Sequence, residues 1–215
     1  MSTTRPPHAF WDRVAQRYAA MQMRNPDAYE TTLALVKAHL HAQDRILELG
    51  CGTGATALRL APCVGAYVAS DYSGAMIAIA KGAKTSAGIE NVAPLVAGLG
   101  DGSLPEGPFD ATLAFNLLHL LPDRRAAFRE VFDLTRPGGL FISKTPCLAG
   151  LFRVFQPVLA LLRLFGKAPD FNFITPETLE RDIRNAGFEI LERGDYPARP
   201  PRRFIVAHRP EKSGR

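Results

Sequence analysis

The amino-acid sequence predicts an α/β fold with a doubly wound, mostly parallel sheet. Apolar runs of strand length alternate with segments of helical periodicity along most of the 215 residues, and parallel strands need a helical crossover between them. The first of those strands also ends on a glycine-rich turn that opens into a helix. With 47% apolar residues, a chain of this length is expected to form a single domain over residues 1–215 with a sizeable core.

The N-terminal stretch MSTTRPPHAFWDR is polar and lacks the basic, apolar and small-residue segments of a secretory leader, so a cytoplasmic location is expected. His8 to Met23 reads as a helix, with Phe10, Val14 and Tyr18 at helical spacing and Asp12, Arg13 and Arg17 largely on the other side. Asp27 to Leu40 reads as a second helix with Pro26 in its first turn. Ile46 to Leu49 is a short buried strand, followed by a helix through about Leu60. Ala66–Asp71, Val92–Ala97, Phe109–Phe115 and Leu140–Lys144 are the next strands. Between them, Ser73–Lys84 and Asp123–Leu134 are helical, and the second stops at Arg136-Pro137-Gly138-Gly139. Pro176–Ala186 is a last helix ended by Gly187, and Phe188–Glu192 with Arg203–His208 form an antiparallel strand couple.

The stretch RILELGCGTG (Arg45–Gly54) organises the rest. Gly50, Gly52 and Gly54 at alternate positions let the backbone turn tightly and approach a ligand with no Cβ in the way. Thr53 is placed to cap the following helix. In open α/β sheets ligands bind outside the carboxyl ends of the strands at such a turn, so this is a nucleotide-type cofactor loop. Gly50-x-Gly52-x-x-Ala55 also satisfies the dinucleotide fingerprint, with Asp71 near the position of its ribose-binding acid. The glycines therefore do not by themselves separate an NAD(P)-dependent oxidoreductase from a nucleoside-binding enzyme. Three features favour the latter. Glu48 lies two residues before the first glycine, within reach of a cationic cofactor end. Only one nucleotide-binding half precedes the closing strands. No Tyr-x-x-x-Lys pair supplies the acid of small hydride-transfer enzymes.

These residues resemble the class I S-adenosylmethionine-dependent methyltransferases. ILELGCGTG resembles their first motif, VASDYSGAM their second, FDATLAFNLLHLL their fourth-strand segment and RPGGLFISK their fifth strand. ITPETLERDIRNAGFEI is similar to the tail of the small-molecule, ubiquinone-biosynthesis-like subgroup, and the resemblance runs from about Phe10 to Ala207. It implies a Rossmann-like, seven-stranded sheet with an antiparallel last strand. It also implies S-adenosyl-L-methionine as cofactor and S-adenosyl-L-homocysteine as product. By position, Gly50 and Gly52 would approach the methionine part, which Glu48 would orient. Asp71 would hold the ribose hydroxyls, Tyr72 and Met76 would pack around the adenine, and Asn116 would sit near the amino group or sulfonium. Where relatives carry an acid after strand three for the adenine amino group, this chain reads AGLGDGSLP. Asp101 is displaced, which leaves the backbone of Leu99 or Gly100 for that contact. The FWDRVAQRY helix resembles the subgroup's N-terminal cap, with Trp11 and Tyr18 over the site. The domain then divides into a helical cap (1–42), a cofactor-binding core (43–146), a lid or substrate wall (147–174) and a closing helix and strand pair (175–210).

The acceptor is less legible. His119, after strand four, is a candidate general base because imidazole titrates near neutrality, or else a half-buried helix residue. Leu148–Phe165 is strongly apolar, but Arg153, Gln156, Pro157 and Arg163 leave it short of the about 20 apolar residues a membrane span needs. A lid helix broken near Pro157 is expected, with Phe152, Phe155 and Cys147 lining the acceptor space. Packing on the sheet or on a second subunit serves as well, and Arg153, Arg163 and Lys167 also suit weak contact with an anionic membrane surface. Asn116-Leu-Leu-His departs from the Asn/Asp-Pro-Pro-Tyr of nucleic-acid amine methylators, and basic-aromatic interleaving is lacking, so nucleic acid is disfavoured. A small-molecule acceptor such as a quinone, phenol or lipid fits better. The net charge of +5 is concentrated late in the chain, with 12 Lys/Arg against 8 Asp/Glu after residue 150 and 14 against 13 before it. Arg202 and Arg203 within that excess read as a solvated edge. Cys51, Cys63 and Cys147 have the spacing of neither a disulfide framework nor a metal site.

Overall fold

The computed structural model describes residues 8–23, 25–147, 149 and 171–211. At its centre lies β1 (Arg45–Leu49), in which Ile46, Leu47 and Leu49 are all buried. A strand covered on both faces has no polar side to present, which is why this run is nearly continuously apolar rather than alternating. Parallel partners flank it, β2 (Ala66–Asp71) on one side and β4 (Phe109–Phe115) on the other. β3 (Val92–Val96), β5 (Thr135–Pro146), β6 (Glu189–Asp195) and β7 (Arg202–His208) complete seven strands in the order β3-β2-β1-β4-β5-β7-β6. Only β7 runs antiparallel to its neighbours, as the resemblance implies.

Helices close both faces. On one, α2 (Pro26–Lys37), α3 (Ala55–Leu60) and α4 (Gly74–Ala87) bring Leu33, Val36, Ala57, Leu60 and Ile77 against Ile46, Tyr67, Phe204 and Val206. On the other, α5 (Arg124–Leu134) and α6 (Pro176–Asn185) bring Phe128, Val131, Leu179 and Ile183 against Leu47, Leu49, Phe141 and Ile205. The alternation along β7, with Phe204 and Val206 to one face and Ile205 and Ala207 to the other, shows the period-two pleat sorting side chains between the two cores.

Several expected boundaries move. The first helix, α1, covers His8–Ala19 rather than reaching Met23; Met21 and Met23 are exposed, with no core face to bury them. Asp12, expected toward solvent, instead docks α1 on α4: its Oδ1 accepts from Ser73 Oγ at 2.6 Å and from Ala75 N at 3.1 Å. α2 ends at Lys37, where His39 and Leu40 donate to carbonyls three residues back and the helix winds down. β5 starts directly after α5, because Thr135 already pairs with Phe109; residues 136–139 then bulge out before pairing resumes at Leu140. Gly138, at φ 71°, turns that excursion. Of the expected lid over Leu148–Phe165 only Ala149 is described, its N–H donating to the Ile174 carbonyl at 3.3 Å; Phe152, Phe155, Arg153, Arg163 and Lys167 lie outside the described residues. No described helix is long and apolar enough to cross a membrane.

Candidate active site

The chain leaves β1 toward β2 on one side and reaches β4 on the other, so the connections diverge at the carboxyl edge and leave a crevice there. The loops after β1 and β4 meet in it: a Cβ on Gly50 would lie 2.9 Å from Leu117 Cδ1. Gly50, Gly52 and Gly54 have φ of 67°, 54° and 79°, a left-handed region that glycine enters without steric cost. Thr53 does not cap the next helix. Gly54 occupies the N-cap with no side-chain hydrogen bond, because the third left-handed residue extends the turn by one position.

Two carboxylates stand around this loop in different environments. Asp71, at the end of β2, accepts from Gly52 N at 2.9 Å through Oδ2 and from Ser73 N at 2.8 Å through Oδ1. Burial raises its pKa, and the two N–H groups oppose that by favouring the ionised form. Each oxygen keeps a further lone pair for another donor. Glu48 is 2% exposed, enclosed behind the loop, and accepts the Tyr67 hydroxyl at 2.9 Å. Burial pushes its pKa up to about 7, with the Tyr67 bond pulling down and the Asp71 charge adding to the rise.

Beyond Asp71, the Tyr72 ring lies against Gly98, where any Cβ would collide with it, and its hydroxyl donates to the Leu99 carbonyl. Gly100 N donates to Glu130 Oε2 at 2.8 Å. Asp101 is engaged in its own turn, accepting from the backbone and hydroxyl of Ser103. Met76 is buried on α4. The Leu99 carbonyl and Gly100 N–H, expected toward a ligand, thus already have partners within the chain.

The opposite wall follows β4. Asn116 has φ 54°, donates its N–H to the Lys144 carbonyl at 2.8 Å, and accepts from Arg202 Nη1 at 3.1 Å through Oδ1. His119 sits in a short 3-10 turn, 7% exposed, its ring stacked on Phe171 and its Nδ1 without a hydrogen-bond partner. Burial, seconded by the Arg202 charge, depresses its pKa to about 4. Lys144 is buried on β5, its ammonium donating to the Ala28 carbonyl and the Thr32 hydroxyl of α2. Burial again, with Arg202, lowers it to about 8. From the cap, Tyr18 reaches over Gly52, its Cε1 3.9 Å from where a Cβ would stand, and Trp11 packs edge-on against it.

Two expectations fail here. Cys147 is 3% exposed within the core and its thiol is raised to about 11 by burial, so it faces the apolar interior rather than the crevice. Arg203 is not on a solvated edge, although the Arg202 contact is exposed. Arg203 folds back to Asp195 at 3.3 Å and toward Glu180 at 3.8 Å, while Arg202 crosses β5 to Asn116.

A family described as a methyltransferase domain matches residues 46–139. The chain is 30% identical to a ubiquinone biosynthesis O-methyltransferase of Xanthomonas axonopodis pv. citri, over 74% of this chain and 68% of that protein. It is 32% identical to a demethylmenaquinone methyltransferase of Corynebacterium urealyticum, over 68% of each. The chain is a class I S-adenosylmethionine-dependent methyltransferase. Among solved structures it resembles geranyl diphosphate C-methyltransferase from Streptomyces coelicolor, with a TM-score of 0.73 and 13% identity over 97% of this chain and 100% of the other. The oxidoreductase alternative finds no support in these matches.

The residues of this methyltransferase fit its cofactor. A left-handed glycine cradle, a carboxylate with free lone pairs at the end of β2 and an asparagine at the end of β4 surround one crevice. Sequence reasoning missed Asp12, Gly98, Lys144 and Arg202. Asp12 and Arg202 carried no local signal, since each acts on a residue more than sixty positions away. Lys144 had one: a lone cation within an apolar strand flanked by Ser143 and Thr145.

Proposed function

We propose that this methyltransferase moves the S-methyl group of S-adenosyl-L-methionine to a small apolar or amphipathic acceptor of the phenol or hydroquinone type. The observation that carries the reading is the Asp71-tied glycine loop meeting the loop after β4 at the switch point. The names of the two curated relatives, both referring to quinones, support the acceptor class.

In this reading Gly50 and Gly52 admit the methionine portion and Asp71 takes the ribose hydroxyls on its free lone pairs. Tyr72 and Met76 shape the adenine end. Glu48 acts from behind the loop, its carboxylate held by the Tyr67 hydroxyl. The cofactor, when bound, would supply a methyl carbon activated by sulfonium for attack by an acceptor oxygen. Asn116 lies where it can orient donor and acceptor, Tyr18 and Trp11 cover the loop, and alignment with exclusion of water contributes much of the rate. His119 is neutral at pH 7 and offers a lone pair for orienting an acceptor hydroxyl, but with a pKa near 4 it is a poor match for deprotonating a phenol. We assign residues 1–215 to one catalytic unit.

The test is a labelled-methyl assay with S-adenosyl-L-methionine against pooled phenols, hydroquinones, thiols, amines and lipid extracts, read by product mass. Transfer to the phenol and hydroquinone pools is expected, with S-adenosyl-L-homocysteine raising the Tm by mass action. A Tm raised by NAD(P) but not by S-adenosyl-L-homocysteine would overturn the cofactor reading. Transfer confined to thiols or amines would overturn the acceptor class.

A further inference from the structure

Arg202 opens β7, two strands away from β4, yet its guanidinium crosses β5 to hydrogen-bond the Asn116 side chain at 3.1 Å. The contrast with Arg203 is informative. Arg203 has carboxylate partners in Asp195 and Glu180, whereas among the described residues no carboxylate pairs with Arg202. Its side-chain anchor among the described residues, the neutral amide oxygen of Asn116, is held at the crevice by a left-handed backbone. The groups that feel its charge include a phenol, an imidazole and an ammonium. Its charge bears on Tyr18, His119 and Lys144 alike, and all three feel it as a downward pull on their pKa. For His119 and Lys144 this adds to the lowering by burial; for Tyr18 it opposes burial and Asp71, which raise it. A guanidinium with no carboxylate partner among the described residues, hydrogen-bonded to an exposed asparagine at the crevice edge, is a seat for an anion, because Arg offers a rigid, always-charged pair of donors suited to ionised oxygen.

We propose that Arg202, held by Asn116, is the specificity-determining residue of the acceptor subsite, and that the acceptor binds carrying an ionised oxygen beside it. This rests on the methyl-transfer reading above and supplies what that reading lacks. His119 does not titrate where a phenol would need a base, and a neighbouring guanidinium lowers the acceptor's own pKa instead, so the oxygen arrives ionised. The source of the anionic oxygen is either the reacting phenol or a carboxylate on the same ring.

Isothermal titration of the full chain saturated with S-adenosyl-L-homocysteine separates these. Two matched probe pairs are used: 4-nitrophenol against its neutral methyl ether, and 4-hydroxybenzoate against its methyl ester. At least one anion is expected to bind about tenfold or more tighter than its neutral partner, the scale of one charge-assisted hydrogen bond. The pair that discriminates identifies phenolate or carboxylate. Arg202→Met is expected to abolish the preference and to raise KM for the anionic probe more than it lowers kcat. Arg202→Lys keeps part of the preference, and Arg199→Met on the exposed preceding turn keeps all of it. A cooperative thermal unfolding transition close to that of wild type is expected in each variant, which reports intact folding. The proposal is overturned if neither pair discriminates, or if the preference survives Arg202→Met. Failure of wild-type protein to bind S-adenosyl-L-homocysteine would instead overturn the cofactor reading beneath it.

Discussion

The Gly52 N–H donates to Asp71 Oδ2 at 2.9 Å, so the carboxylate that ends β2 also holds the middle of the glycine loop after β1. One side chain therefore sets the loop's shape and presents acceptor lone pairs to the crevice. Asp71→Asn replaces an acceptor-only group with one that turns an NH2 toward Gly52 or toward the ribose hydroxyls of the proposed reading. Losing one charge-assisted bond of about 2 kcal/mol corresponds to roughly thirtyfold weaker binding. Calorimetry with S-adenosyl-L-homocysteine checks this, and Asp71→Asn binding at wild-type affinity would remove the role.

Gly50 is constrained twice, by φ 67° and by Leu117 Cδ1 at 2.9 Å from any Cβ. The left-handed backbone costs an alanine about 1–2 kcal/mol, and the contact with Leu117 adds to that. Gly50→Ala is expected to lower both Tm and cofactor affinity. Because the clashing atom is the tip of a side chain, adding Leu117→Ala should recover part of the loss and leave the backbone strain. Equal Tm values for the single and double variants would show that Leu117 does not crowd this loop.

Glu48 couples stability to pH. Its folded pKa, about 7, lies above the unfolded value near 4.5, so between those pH values the folded state holds a proton that the unfolded state has lost. Stability therefore falls as pH rises through that window and levels off above it, by on the order of 3 kcal/mol. Glu48→Gln, which keeps an acceptor for the Tyr67 hydroxyl, should lack this decline and gain on wild type as pH goes from 5 to 8. Parallel Tm curves for the two proteins would contradict it.

His119 works in the opposite sense. Its folded pKa, about 4, lies below the unfolded 6.5, so the unfolded state takes up a proton first as pH falls. Stability is complete above about pH 6.5 and is lost on the way down to 4, again by on the order of 3 kcal/mol. His119→Gln should resist acid better than wild type in denaturant titrations at pH 4.5. The same depressed pKa predicts no histidine limb in the kcat profile between pH 5.5 and 8. A limb near 6.5 that disappears in His119→Gln would restore the general-base role.

The sequence by itself determined the sheet, its cofactor edge and the donor side of the chemistry. Glycines at three alternate positions, a continuous apolar β1 and an acid ending β2 are local patterns, and each imposes a local geometry whatever surrounds it. The antiparallel β6–β7 couple was readable for the same reason, although β5 joining α5 without a loop was not, since only pairing of Thr135 with Phe109 makes that junction a strand. What the tertiary structure alone decided is which polar groups share a space. Asp12 and Ser73 are 61 residues apart, and Asn116 and Arg202 are 86 apart. No periodicity encodes such a pair, because its energy depends on crossovers that bring distant strand ends to one edge. Burial is decided the same way. Glu48 and His119 are ordinary titratable residues in the sequence, and their pKa values move only when the packed helices exclude water from them.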